Sequence, residues 1–320
     1  MGIACPEAHP LPTDTETGKN DLESDVWSDW LLHKRHADDP AYSQIVQSVV
    51  EGYADRVLDG AQLGVGMTLV DVGTGDGLVA FRAIDRIGPS LRVILTDVSG
   101  PMLRNAESAA KRRNVRTQCT FHECTAEDLS AIADGSVDVV TTRAALAYVA
   151  DKKAALAEFF RILKPAGRLS IVEPLLQEEA FYARALRRRL EDRSLPADRF
   201  MTLLHRWKAA QFPDTEDAFV QSPIANYSER DLLNMVRGAG FAPIHLQMHI
   251  DVAPSLITSW DVFLQTSPHP WAPSLHQIMA AQFSDEERQF FEQMVRPQIE
   301  SGKNVTTERA VYLQAQKPLS

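Results

Sequence analysis

The spacing of apolar positions changes along this chain and divides it into segments. An apolar stripe at helical spacing runs through Trp27, Trp30 and Leu31 to Lys34, and a second helix carries Tyr42, Ile45, Val46, Val49, Val50, Tyr53 and Val57. Thr68–Val72 is a short apolar run ending in glycines, which predicts a buried strand. Leu78–Ile87 then predicts a helix, Arg92–Val98 a strand, Met102–Arg112 a helix and residues 116–122 a third strand. A fourth strand, Val137–Thr142, follows the turn signal Asp134-Gly135-Ser136. Lys152–Leu163 predicts a helix that stops at Lys164-Pro165, and Gly167–Glu173 a fifth strand. Apolar strands alternating with amphipathic helices predict an α/β fold, a parallel sheet covered by helices on both faces.

Beyond residue 175 the rhythm changes. Residues 176–212 read as helical, and Ser228 with Asp231 forms a loose capping box that opens another helix, ending near Gly238 and Gly240. Ile244, Leu246, Met248, Ile250 and Val252 alternate with His245, Gln247, His249 and Asp251, which predicts a strand with one buried face. About 50 residues of helix and a last strand, Arg309–Gln316, complete the chain. Residues 1–22 are rich in Pro, Thr, Asp and Glu, lack periodicity and read as a disordered tail.

Composition narrows the field. The chain has 320 residues and a net charge of −10, so a phosphate backbone is repelled overall and a nucleic-acid partner is not expected. No apolar run approaches a membrane span, and there is no secretory pattern or myristoylation motif; a cytoplasmic protein is expected. Cys5, Cys119 and Cys124 fit no disulfide framework. Cys119, His122 and Cys124 suggest a metal cluster, but on a strand Cys119 points away from the other two, so no metal site is expected.

The chemistry concentrates in Val70-Asp71-Val72-Gly73-Thr74-Gly75-Asp76-Gly77, between a strand and a helix. Its glycines allow a sharp turn and close approach of a ligand. Dinucleotide enzymes carry G-x-G-x-x-G; here the spacing is G-x-G-x-G, with Leu78 where that pattern requires glycine, and the P-loop lysine is absent. The loop therefore suits a ligand without a diphosphate. Asp97, at the end of the second strand, is placed to accept both hydroxyls of a ribose.

The set VDVGTGDG (70–77), LTDVS (95–99), TAEDL (125–129), VDVVTTR (137–143) and EFFRILKPAGRLSIVEP (158–174) resembles the core of class I S-adenosylmethionine (SAM)-dependent methyltransferases, over about a third of the chain. The resemblance implies a Rossmann-like, mostly parallel seven-stranded sheet. It implies a helical lid at 23–60, a SAM-binding core at 61–175, and substrate-side helical insertions with the last two strands at 176–320. It implies that Asp71 and the backbone of Gly73, Thr74 and Gly75 hold the methionine end of SAM and Asp97 the ribose. Val98 and Met102 would flank the adenine, Ala126 with Thr125 or Glu127 would meet its edge, and the Arg143 backbone would face the SAM amino group. Cys124-Thr125-Ala126 stands where many relatives have Gly-Asp-Ala, so the usual aspartate contact to the adenine is replaced or absent.

On the substrate side, Glu173 ends a strand and reads either as a general base beside the transferred methyl or as an acid hydrogen-bonded to a loop. A weaker resemblance, carried by WSDWLLHKRH (27–36), TTRAALAYV (141–149) and the VEP strand end, is to bacterial enzymes that C-methylate prenyl chains, including prenyl diphosphates. It implies a carbocation faced by aromatics, with Glu173 as proton acceptor, Tyr148 beside it, and Mg²⁺ accompanying a diphosphate. Trp30, Tyr182 and Trp207 are candidate aromatic contacts, and Arg184, Arg187 and Arg188 with His205 a candidate diphosphate grip. Core aromatics and a solvated arginine face are the plainer reading of the same residues. O- or N-methylation of a phenol, acid or amine is the alternative, and homo-oligomers are expected. A NAD-dependent oxidoreductase is disfavoured by Leu78; a non-catalytic SAM-binding protein remains open.

Overall fold

The computed structural model describes residues 24–319; the expected N-terminal tail lies outside them. Val26–Asp29 forms α1, capped by Asp25, and winds directly into a π-helical turn over Trp30–Lys34. Asp39 caps the long α2 (Pro40–Ala61), with Pro40 preorganising its first turn. The alternating unit follows: β1 (Thr68–Val72), α3 (Leu78–Ile87), β2 (Arg92–Asp97), α4 (Gly100–Arg112), β3 (Cys119–Glu123), β4 (Val137–Arg143), α5 (Lys152–Ile162) and β5 (Leu163–Pro174). Then come α6 (Gln177–Glu191), α7 (Arg199–Gln211), α8 (Glu216–Gln221), α9 (Glu229–Gly238) and β6 (Ile244–Pro254). Finally α10 (Trp260–Gln265), α11 (Leu275–Gln282) and α12 (Asp285–Glu300) precede β7 (Val305–Gln316).

The seven strands form one sheet in the order β3-β2-β1-β4-β5-β7-β6. Pairs from β3 through β5 are parallel, whereas β7 runs antiparallel to both neighbours. Both faces are covered. On one, Phe159, Leu156 and Ile162 of α5 and Leu232 and Val236 of α9 pack on Val70, Leu169 and Leu313. On the other, Ala54, Val57 and Leu58 of α2, with residues of α3 and α4, pack on Leu69, Leu95 and Val139. A third apolar cluster is built by Leu203, Trp260, Ile278, Phe291 and Ile299, so α7 and α10–α12 share a core of their own.

Four expectations are corrected. Residues 116–118 form a 3-10 turn, and the third strand begins at Cys119. The helical stretch 176–212 is broken over 192–198. β6 is longer than expected, and its apolar row is not buried: Met248, Ile250 and Val252 are exposed. The helix from 152 ends one residue earlier, because Leu163 is already in β5. Cys119 packs in the α2–α4 core and Cys124 against the opposite one, and no metal-binding cluster exists among the described residues.

Candidate functional site

The parallel register aligns the carboxyl ends of the strands. Val72 sits beside Thr96 and Thr142, so the Gly73–Gly77 turn, Asp97 and Arg143 emerge together. Gly73 has φ +65°, and a Cβ there would stand 2.3 Å from the Cβ of Ala145, so the turn needs glycine twice over. Asp71 is buried and accepts hydrogen bonds from the hydroxyls of Thr74 (2.7 Å) and Thr141 (2.9 Å). Burial pushes its carboxyl up to about 6, against the pull of those two hydroxyls. Asp97 accepts from the Gly75 N–H (2.8 Å) through one oxygen and from the Ser99 N–H (2.9 Å) through the other. Its carboxyl is also raised, chiefly by burial. The Cys124 N–H donates to the Asp97 carbonyl (3.0 Å), which brings Thr125 and Ala126 alongside.

The adenine candidates differ in setting. Val98 is exposed at the strand end, whereas the Met102 side chain is fully buried beneath it. Thr125 is exposed and Ala126 half-buried. Glu127 is half-buried and accepts from the Asp151 N–H (3.4 Å).

Glu173 has no exposed surface. Its carboxylate accepts from the backbone N–H groups of Ala147 (2.9 Å), Leu146 (3.1 Å) and Ala145 (3.3 Å). The Thr142 hydroxyl adds a longer contact at 3.4 Å. Burial pushes the carboxyl up to about 7 despite these donors. Oε1 takes three of these donors and Oε2 one, so the acid fixes the 144–148 turn, and with it Tyr148, while Oε2 keeps a lone pair for a proton. Lys152 supports the same turn, donating to the carbonyls of Ala147 (3.2 Å), Val149 (2.9 Å) and Pro223 (2.7 Å). Burial lowers its amine to about 8.

Four rings meet above this turn. Tyr148 lies edge-on to Trp27 (5.3 Å between centroids), Trp271 (5.7 Å) and Trp30 (6.3 Å), and Trp27 to Trp271 at 5.7 Å. The N-terminal segment is tied down at two points: the Trp30 indole N–H donates to the Ser267 carbonyl (2.9 Å), and the Ser267 N–H to the Lys34 carbonyl (3.1 Å). Leu31 lies over the glycine turn, its Cδ1 3.6 Å from where a Gly75 Cβ would stand. Arg35 follows, over the Trp30 ring at 5.7 Å, where the charges of Arg143 and Asp76 act on it. Burial, then the positive charge of Arg143, lowers its guanidinium to about 10.

The expected diphosphate grip is spent on internal pairs. Arg184 pairs with Glu216, and Arg187 with Glu191 (2.9 Å) and Asp214 (3.3 Å). His205 also contacts Asp214 (2.9 Å), while Arg188 is exposed and lines an open groove with Arg184, Arg187 and Asp214. Trp207 belongs to the separate helical core, packed on Phe263 and Phe291, and does not join the ring cluster. Tyr182 is exposed beside Lys208.

Sequence reading missed Arg35, Trp271 and His269. His269 is buried, and its Nε2 lies 2.7 Å from the Gln211 carbonyl. A carbonyl only accepts, so Nε2 carries the proton and Nδ1 keeps its lone pair. Nδ1 has no partner among the described residues, and burial lowers the ring's proton affinity. The ring stands 5.4 Å from Phe212 and 6.2 Å from Trp271. The Pro-flanked His269-Pro270-Trp271 was the one visible signal of an ordered aromatic loop.

Comparison with known proteins supports SAM as the cofactor. Residues 63–207 match a methyltransferase-domain family model. The ubiquinone/menaquinone biosynthesis C-methyltransferase UbiE of Rhizobium meliloti is 27% identical over 201 residues, covering 61% of this chain and 72% of that protein. The tRNA 5-carboxymethoxyuridine methyltransferase of Escherichia coli is 32% identical over 130 residues, which cover 40% of this chain and 48% of that one. The YcgJ protein of Bacillus subtilis superposes with a TM-score of 0.52 at 20% identity, covering 83% of this chain and 98% of its own, and so shares the fold. The chain carries a class I SAM-dependent methyltransferase domain over residues 63–207. No helix of the described residues is long and apolar enough to cross a membrane.

Proposed function

We propose that this methyltransferase acts on a small, largely apolar and unsaturated acceptor held beneath the lid, between the SAM turn and the rings of Trp27, Trp30, Tyr148 and Trp271. The observation that carries this reading is the four-ring cluster at the carboxyl ends of the strands, next to Asp71, Asp97 and Arg143. SAM supplies an electrophilic methyl on a sulfonium. Asp71, the Gly73–Gly75 backbone and Asp97 are the groups that would hold its methionine and ribose parts. Arg35 and Arg143 are the cations that would meet its carboxylate.

Methyl transfer is an in-line displacement, so the protein's contribution is alignment and exclusion of water. If an olefin attacks, its π pair forms the new C–C bond while the S–CH₃ bond breaks. The positive charge left on the acceptor is then stabilised by the ring faces. In that reading the acceptor is a prenyl chain. A diphosphate on it would have to displace Glu216, Glu191 and Asp214 from Arg184 and Arg187, or be held with Mg²⁺ by other groups. The proton leaves to a base with a free lone pair: His269 Nδ1 has one, and Glu173 Oε2, which accepts only the Ala147 N–H, keeps another. O- or N-methylation is the second reading, favoured by the same His269, which would take the acceptor's O–H or N–H proton as the methyl arrives. A lid over the site suits a discrete small molecule rather than a nucleic acid.

The test is mass spectrometry of the full chain with SAM and geranyl or farnesyl diphosphate, with and without Mg²⁺, beside a panel of phenols, carboxylic acids and amines. One methyl mass gained on the prenyl chain is the expected result. Gain only on phenols, acids or amines would replace it with the second reading.

A further inference from the structure

Among the described residues β6 is the edge strand of the sheet, hydrogen-bonded to β7 on one side only. It is long for an edge: Ile244–Pro254 pairs throughout with residues 305–315 of β7. β5 follows β7 only as far as the Pro174–Ala310 pair, so residues 250–254 and 305–309 run on as a two-stranded ribbon beyond the sheet. Such a ribbon is marginal in water without something to pack on. Its apolar row is left open: Met248 is 40% exposed, Ile250 56%, Val252 67% and Val305 56%. A long, apolar, unpaired edge is a template for another strand, and monomeric proteins blunt such edges with lysine, proline or bulges. β6 carries no lysine and no bulge, and its one proline is its last residue.

The strand is also complementary to itself. Reading outward from Met248, Gln247 matches His249, Leu246 matches Ile250, His245 matches Asp251 and Ile244 matches Val252. We propose that β6 pairs antiparallel with β6 of a second copy of this chain, about a two-fold axis through Met248. In that register every apolar residue of the row opposes an apolar residue. His245 of each copy opposes Asp251 of the partner subunit, on the other face. A two-fold axis perpendicular to the sheet keeps like faces together, so the apolar row becomes continuous across both copies. Moving the axis to Ile250 would set Leu246 against Pro254 and would need His249, which already packs on Tyr312 (4.9 Å between centroids) and lies 3.0 Å from Arg56.

Sedimentation equilibrium of the full chain from micromolar to sub-millimolar concentration tests the assembly, with SAM binding as the check that each variant folds. A dimer is expected. His245→Asp, which sets two carboxylates against each other, should raise its dissociation constant about tenfold or more, and adding Asp251→Lys should restore it. Met248→Cys tests the register independently of these charges. The two copies of residue 248 face each other at the axis, so in a background with Cys5 and Cys124 replaced by serine a short bismaleimide should give a covalent dimer absent from that background alone. Val252→Cys should give none, its two copies lying roughly 27 Å apart along the strands. A monomer at every concentration, failure of the double variant to restore the dimer, or cross-linking at 250 or 252 rather than 248 would overturn the proposal.

Discussion

At the scale of single residues, Glu173 couples stability to pH. Its carboxyl is raised to about 7 by burial, so the folded chain keeps a proton that the unfolded chain releases above the ordinary carboxylate range. Between roughly pH 4.5 and 7 the folded state binds more protons at this site than the unfolded state, and this group's contribution falls as pH rises. Above about 7 both states are ionised and the contribution is constant. Glu173→Gln keeps a hydrogen-bonding carbonyl under the Ala145–Ala147 donors and removes the titration. The stability of the glutamine variant relative to wild type should therefore climb from pH 5 to pH 7.5 and then level off. Thermal unfolding across that range measures it. A relative stability that falls as pH rises would mean the carboxylate is held as an ion and the donors outweigh burial.

At the scale of elements, the N-terminal segment lies against the glycine turn. The π turn at Trp30–Lys34 carries Trp30 to Ser267, Leu31 over Gly75, and Arg35 to the side of Arg143. Two adjacent cations repel, so an anion between them relieves a cost already built into the fold. Arg35→Met should weaken SAM binding about tenfold to a hundredfold, the value of a charge-assisted hydrogen bond at a half-buried site. Calorimetry with decarboxylated SAM is the sharper measurement: wild type should bind it more weakly than SAM, and Arg35→Met should bind the two alike. Equal discrimination by both proteins would remove Arg35 from the carboxylate. None of this was legible in the chain, because Trp30 and Ser267 are 237 residues apart and local pattern carries no information on such a pair. Elements made by local burial were legible: β1 and α3 begin and end where periodicity and glycines put them. β6 misled for a physical reason. Alternation reports which residues share a face, not whether anything covers that face, and here α9 covers only its beginning. The strand-end acid was visible as Glu173, but its partners are backbone N–H groups of a turn, which no side-chain pattern announces.

At the scale of the whole molecule, two packed layers share the sheet while a third core stands apart. Phe291 centres that third core, fully buried against Phe200, Trp207 and Phe283. The loop bearing Ser267, His269 and Trp271 springs from the same unit, between α10 and α11, so its stability governs the roof of the site without touching the glycine turn. Phe291→Ala should cost the unit about 3–5 kcal/mol through lost burial and an unfilled cavity. Because the sheet cores contain none of these residues, the loss should appear as local opening rather than global unfolding. Hydrogen exchange should accelerate across α7 and α10–α12 while β1, β4 and β5 keep their protection. SAM affinity should fall modestly, through the loosened Trp30–Ser267 tie, and methyl transfer should fall much further, because the roof that excludes water and supplies Trp271 and His269 is then open much of the time. Acceleration spread evenly over all seven strands would instead mean that lid and sheet unfold as one cooperative body, and that closure of the site is a property of the whole fold.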